Sequence, residues 1–236
     1  QDRDFGFALP RTLDAADMRL QQALREHDFN VEECLSHRNH FCQQFSPEQS
    51  SIMDAVTDAV EGRSPSNVHA VLASAGCGKS LLVAGITWHL RSKYKIVINV
   101  AASALAATML PSGRTAHSAF RIPIPTTSSS FCGLKSHERE LLRRCSAIFY
   151  DEVSMVSQDV ADALDRACKD VTGEHSKAFG GKVVVFLGDF KQLLPVAPGL
   201  RRSPTVKNCS WWPQVRTFQL TKNYRAAKNP AFAAAL

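Results

Sequence analysis

Apolar and polar positions along this chain fall into blocks that read in turn as strands and helices. Residues 68–72 (VHAVL) form a short apolar run, and a loop of small residues separates them from a second apolar run that begins at Leu81. The first pattern returns at 94–101 (YKIVINVA), 146–152 (SAIFYDE), 182–189 (KVVVFLGD) and 217–220. Runs that are apolar on successive residues suit parallel strands covered on both faces. Between them the spacing predicts helices over 80–91, 102–110, 135–144 and 159–171. Strands alternating with helices imply an α/β fold: a mostly parallel sheet, helices on both faces, and ligands at the carboxyl ends of the strands.

Upstream of the first strand, FSPEQSSIMDAVTDAV (45–60) predicts a helix with Ser46 as N-cap and Pro47 at the first helical position. Gln49, three residues after the cap, fits a capping box, and its amide equally fits a base-reading role. Residues 61–67 are a polar linker. PSGRTAHS (111–118) reads as a loop, and IPIPTTSSSFCGL (122–134) as an irregular surface excursion. Residues 1–44 read as an N-terminal extension, with Phe5, Phe7, Leu9 and Leu13 followed by one amphipathic helix over 15–26.

At 236 residues and 44% hydrophobic content the chain can bury a full core, which points to one domain plus that extension. No apolar run approaches the roughly 20 residues of a membrane span, and the first residues are polar and acidic, so the expectation is a soluble, intracellular protein without a membrane partner. Seven cysteines show no C-x-x-C pair and read as reduced thiols. Cys77, inside the small-residue loop, is expected to be open to alkylation or oxidation. The formal charge of +6 is unevenly spread, since residues 1–62 hold twelve acidic and five basic side chains and residues 201–236 hold seven basic and no acidic ones. That basic end points to a polyanionic partner or to a solvated cationic face.

The candidate chemistry begins at ASAGCGKS (73–80). A strand that passes through Gly76 and Gly78 into a helix leaves backbone N–H groups converging on one point, where the helix dipole adds partial positive charge. Such a loop cradles phosphate, with Cys77 and Leu81 contributing backbone. Lys79 would meet the β- and γ-phosphates of a nucleotide, and the Ser80 hydroxyl would ligate a bridging Mg²⁺. Ala73 stands where the pattern has glycine; it costs about 1 kcal/mol or more if the position needs a positive φ or a very close backbone approach, and nothing in ordinary β or α space. Asp151, at the end of an apolar strand, suits the Mg²⁺ shell, and Glu152 would accept the proton of an attacking water. Gln192 in GDFKQLLPV (188–196) can contact a γ-phosphate, and Arg225 can supply a guanidinium to transition-state charge.

Taken together, FSPEQ (45–49), ASAGCGKS (73–80), AASALAATMLPSGRTAHSAF (101–120), FYDEVSMV (149–156), FGGKVVVFLGDFKQLLPV (179–196) and LTKNYR (220–225) resemble the Pif1-like family of superfamily 1 DNA helicases. The N-terminal part is similar to the helicases of Helitron-type transposable elements. These segments span about 180 of the 236 residues.

The resemblance implies a RecA-like P-loop domain over 45–236 and a 5′ to 3′ helicase using ATP and Mg²⁺ on single-stranded DNA and duplex junctions, in repair, recombination or telomere maintenance. It implies that Gln49 reads adenine, that Gln192 senses the γ-phosphate, and that Ser103, Thr115, His117 and Ser118 lie along the single strand. His117 is equally readable as a loop histidine bonded to backbone. The family usually has Gly at Ala73, Thr at Cys77 and Thr-Gly at Ser103-Ala104, so slower turnover and a looser grip on DNA are expected. Family helicases also need a second RecA-like domain, which lies beyond this sequence or on another chain. The location implied is nuclear before mitochondrial. The competing expectation is a truncated, catalytically weak fragment of a transposon-derived gene; a ring-forming P-loop ATPase is disfavoured by TAHS and GDFKQLLPV.

Overall fold

Alternate residues of the central strands feed two different cores, and that alternation sets the architecture. In β4 (Ala147–Asp151), Ala147 and Phe149 join one apolar cluster while Ile148 and Tyr150 join the other. In β5 (Val183–Gly188), Val185 and Leu187 share the first cluster, and Val184 and Phe186 the second. Side chains two residues apart share a face of a strand, so a run apolar at every position serves both faces of a covered sheet.

The structure, a computed structural model, describes residue 18 and residues 29–190 and 205–224. Six strands form one sheet in the order β3-β2-β4-β5-β1-β6: β1 (Val68–Leu72), β2 (Val97–Ala101), β3 (Arg114–Thr115), β4, β5 and β6 (Arg216–Gln219). Every pairing is parallel. The α/β fold with a parallel sheet covered by helices on both faces is what the pattern of apolar runs implied.

One face is covered by α2 (Pro47–Val60), through Ile52 and Val56, and by α3 (Lys79–Arg91), through Leu82, Val83, Ile86 and Leu90. The other is covered by α6 (Ser136–Arg144) and α7 (Gln158–Thr172), with Leu142, Val160, Leu164 and Cys168 buried there. Trp211 completes that second core by stacking on Phe186 at 5.4 Å between ring centroids and meeting Phe179 edge-on at 4.8 Å.

Three local outcomes differ from expectation. Helix α1 (Val31–Cys42), capped by Asn30, packs on α3, with His37 stacked on Trp88 at 4.5 Å. Among its residues only Cys34 is fully buried, so no apolar stripe announced it. The helix expected over 15–26 lies outside the described residues, Met18 excepted. Strand β2 begins at Val97 rather than at Tyr94, because Tyr94 sits at φ 58° in the turn that ends α3 and is exposed. The 111–118 stretch, read as a loop, contains β3 and opens the short helix α5 (Ala116–Phe120), whose N-cap Thr115 accepts the Ser118 N–H.

Candidate functional site

Strands β4, β5 and β1 are neighbours, and their carboxyl ends deliver three chain segments to one place. From β1 the chain turns through 73–78 into α3, with Gly76 at φ 84° and Gly78 at φ 80°. Gly78 is the N-cap of α3 and lies in left-handed space, where a side chain is strained. A Cβ there would also meet the Gln49 amide at 2.7 Å. Ala73 is different: it takes no positive φ, and its N–H donates to Gly188 O at 3.0 Å as an extension of the sheet. Alanine at this position therefore carries no left-handed backbone strain, which removes the conformational ground for expecting slower turnover.

Lys79 reaches back over the loop, its Nζ donating to Ala73 O at 2.6 Å and Ser74 O at 3.0 Å. Together with Asp151, Glu152, Ser154, Met155, Gly188 and Asp189 it lines a cavity of about 450 Å³. Asp151 is only 6% exposed. Burial raises its pKa, against the downward pull of the Glu152 N–H bond and the Lys79 charge, with the Glu152 charge adding an upward push. Glu152 holds φ 56°, a left-handed conformation that costs a non-glycine residue about 1 kcal/mol. Its N–H donates to Asp151 Oδ1 at 2.8 Å, and its Oε2 accepts from the Ser103 hydroxyl at 2.6 Å.

The Gln49 side chain is fully buried. Its Oε1 accepts the Ser46 N–H at 2.9 Å, which completes the capping box, and its Nε2 donates to Gly78 O at 3.2 Å. The same amide thus caps α2 and holds the phosphate loop. Beside it, Gln44, Phe45, Ser46, Pro47, Glu48, Lys222 and Tyr224 line a second cavity of about 490 Å³. The segment after β6 closes over the loop from that side: Asn223 Nδ2 donates to Ala75 O at 3.1 Å, and the Tyr224 N–H to Gly76 O at 3.0 Å. Thr221 donates its hydroxyl to Glu48 at 2.6 Å, which holds the Glu48 carboxyl below the usual carboxylate range. Sequence reasoning missed Glu48, because its partner is 173 residues away and no local pattern connects them.

Cys77 is buried at 4% exposure, contrary to the expectation that it is open to reagents. Ser80 and Leu81 occupy the first turn of α3, both half-buried. Gln192 and Arg225 lie outside the described residues. The four residues expected to line a single strand gather at the carboxyl ends of β2 and β3. Ser103 caps α4 (Ala104–Thr108), Thr115 pairs across from Ala101, Ser118 is exposed, and His117 is half-buried. Burial lowers the His117 pKa, and its carbonyl accepts the Ile122 N–H at 3.2 Å.

The family model for the PIF1-like helicase matches residues 44–233, most of the chain. The chain belongs to the PIF1-like helicase family. Among curated relatives it is 32% identical over 196 residues to the ATP-dependent DNA helicase Pif1 of Bdellovibrio bacteriovorus, covering 79% of this chain and 41% of that one. Among solved structures it resembles Bacteroides Pif1 bound to ssDNA, with TM-score 0.66 and 27% identity over 80% of this chain and 44% of that one. Bacteroides sp Pif1 in complex with ADP-AlF4 is similar at TM-score 0.64 and 27% identity, with the same coverage. The chain spans less than half the length of these Pif1 relatives.

The oxygen donors at the loop suit a hard divalent cation. Ser80 offers a hydroxyl and Asp151 a carboxyl group. Among the described residues no group of three or more His, Cys, Asp or Glu is arranged to hold a metal ion alone. Mg²⁺ is commonly held by one or two protein oxygens together with nucleotide phosphates, and this PIF1-like donor set fits that mode. Among the described residues no helix is long and apolar enough to cross a membrane.

Proposed function

We propose that this chain is the first motor domain of an ATP-dependent DNA helicase that moves 5′ to 3′ on single-stranded DNA and opens duplex at junctions. The observation that carries this reading is the common cavity lined by Lys79, Asp151 and Glu152, three residues drawn from two chain-distant segments. In this reading the loop amides of 76–79 and the Lys79 ammonium hold the β- and γ-phosphates. Ser80 and Asp151 hold Mg²⁺, which when bound neutralises phosphate charge, and Glu152 takes the proton of the attacking water. Gln49 borders the adenine side, while Gln192 and Arg225 act on the γ-phosphate. Ser103, Thr115, His117 and Ser118 contact the DNA backbone, which positions a strand without reading its sequence.

A second RecA-like domain would complete the nucleotide cleft, whose opening and closing drives stepping. The cellular setting proposed is nuclear DNA repair, recombination or telomere maintenance. The rival reading, a fragment weak in turnover, draws no support from backbone strain at Ala73, which takes no positive φ. The test is ATP hydrolysis with and without single-stranded oligonucleotide, followed by unwinding of duplexes bearing a 5′ or a 3′ tail. DNA-stimulated hydrolysis that Lys79→Ala abolishes, with unwinding only from the 5′ tail, is the expected result. Unchanged hydrolysis in Lys79→Ala would remove the assignment.

A further inference from the structure

The hydrogen bond between Ser103 and Glu152 joins the two halves of the site that the proposed function keeps apart. Ser103 follows β2 and Glu152 follows β4; the two strands are paired neighbours, and Ala101 lies opposite Asp151. Glu152 is turned by its left-handed backbone, and its Oε2 takes the Ser103 Oγ–H at 2.6 Å, a distance typical of a charge-assisted bond. The same Oγ accepts the Ala106 N–H at 3.2 Å, so the hydroxyl is oriented by the first turn of α4 and directed at the carboxylate. On the other side, Thr115 stands directly across from Ala101 in β3, and Ser118 is exposed beside it. Ser103 therefore belongs at once to a row of hydroxyls at the sheet edge and to the residue placed to activate water.

We infer that Ser103 is a positioning residue that restrains Glu152 until single-stranded DNA arrives, so that hydrolysis is coupled to DNA occupancy through one hydroxyl. This rests on the proposed function. The bond holds the Glu152 carboxylate by Oε2 at the start of α4, so the side chain is not free to turn onto an attacking water. A DNA phosphate oxygen at the sheet edge is an anionic acceptor able to take the same O–H. When it does, the Glu152 carboxylate is released within the cavity that Lys79 and Asp151 share with it. No atom of the nucleotide need move for this coupling; the hydroxyl rotates from one acceptor to another.

The experiment compares ATP hydrolysis by the full chain, Ser103→Ala, Ser103→Thr and Lys79→Ala, each without DNA and with saturating oligo-dT. Ser103→Ala is expected to raise the DNA-free rate about tenfold, the factor that one hydrogen bond to a charged group is worth. With oligo-dT raised to saturation for each variant, its DNA-saturated rate should rise far less than its DNA-free rate, so the stimulation ratio collapses. Ser103→Thr keeps the hydroxyl and should restore both rates. A purely structural helix cap would lower both Ser103→Ala rates together and lower the melting temperature. A simple DNA contact would raise the oligo-dT concentration needed and leave both limiting rates alone. Either outcome, or a fall in the DNA-free rate alone, overturns the inference while DNA-stimulated, Lys79-dependent hydrolysis by wild type keeps the proposed function standing. Absence of such hydrolysis in wild type overturns both.

Discussion

Gly78→Ala tests whether the phosphate loop is held by its backbone conformation and by Gln49 together. Gly78 sits at φ 80°, where alanine costs about 1 kcal/mol. Its new Cβ would lie 2.7 Å from Gln49 Nε2, so the amide must leave Gly78 O. Gln49 is fully buried, and a buried polar group stripped of its partner costs about 1–3 kcal/mol more. The expected loss is about 2–4 kcal/mol, read as a shift in the urea midpoint followed by the fluorescence of Trp88, Trp211 and Trp212. The decisive comparison is the same substitution in a Gln49→Ala background, where the collision and the lost bond no longer exist. There the cost should fall to about 1 kcal/mol, the left-handed term alone. Equal costs in the two backgrounds would refute the claim that the Gln49 side chain clamps the loop.

Three further outcomes follow from buried groups. His69 is fully buried in β1 without a partner for either ring nitrogen, and burial, reinforced by the Arg216 charge, lowers its pKa from 6.5 to about 4. The unfolded chain takes up this proton below pH 6.5 and the folded chain does not, so stability falls between pH 6.5 and 4, by about 3 kcal/mol at the acid limit. His69→Phe should flatten that part of a melting-temperature profile, and an unchanged slope would refute the assignment. Native Cys77 should resist a thiol reagent, so Cys77→Ser should label to the same extent as wild type until urea is added. Asp165→Ala should cost about 3 kcal/mol by urea titration, because it strands the buried Phe179 N–H, bonded at 2.6 Å, and the Lys169 ammonium at 2.7 Å.

The strands and long helices were legible because their burial is periodic. β4 and β5 are covered on both faces and so are apolar at every position, and α7 carries a clear stripe through Val160, Leu164 and Cys168. The Ser46 cap was equally legible, since a capping box is a local bond between residues three apart. Helix α1 was not, because its stability comes from ring stacking and packing on α3 rather than from an apolar face of its own. Strand β3 escaped because two residues carry no period. In the site, residue types and strand ends pointed to Lys79, Asp151 and Glu152, yet neither the Ser103 bond to Glu152 nor the Glu48 bond to Thr221 was visible. Both join residues whose proximity exists only after the sheet is assembled.

That distinction bears on how the phosphate loop keeps its shape. Three of its carbonyls have donors from outside: Gly78 O takes the Gln49 amide, Ala75 O takes Asn223, and Gly76 O takes the Tyr224 N–H. In a planar trans peptide the N–H of the next residue points opposite to the carbonyl. Drawing the Ala75 and Gly78 carbonyls outward therefore turns the Gly76 and Lys79 N–H groups the other way, toward the side an anion would occupy. Lys79 closes the remaining side through Ala73 O and Ser74 O, two bonds it can exchange for phosphate oxygens. The cradle is thus built by the segment before β1 and the segment after β6 as much as by the glycines. A stretch cut to the phosphate loop and its helix would keep the glycine pattern and lose the donors that orient it.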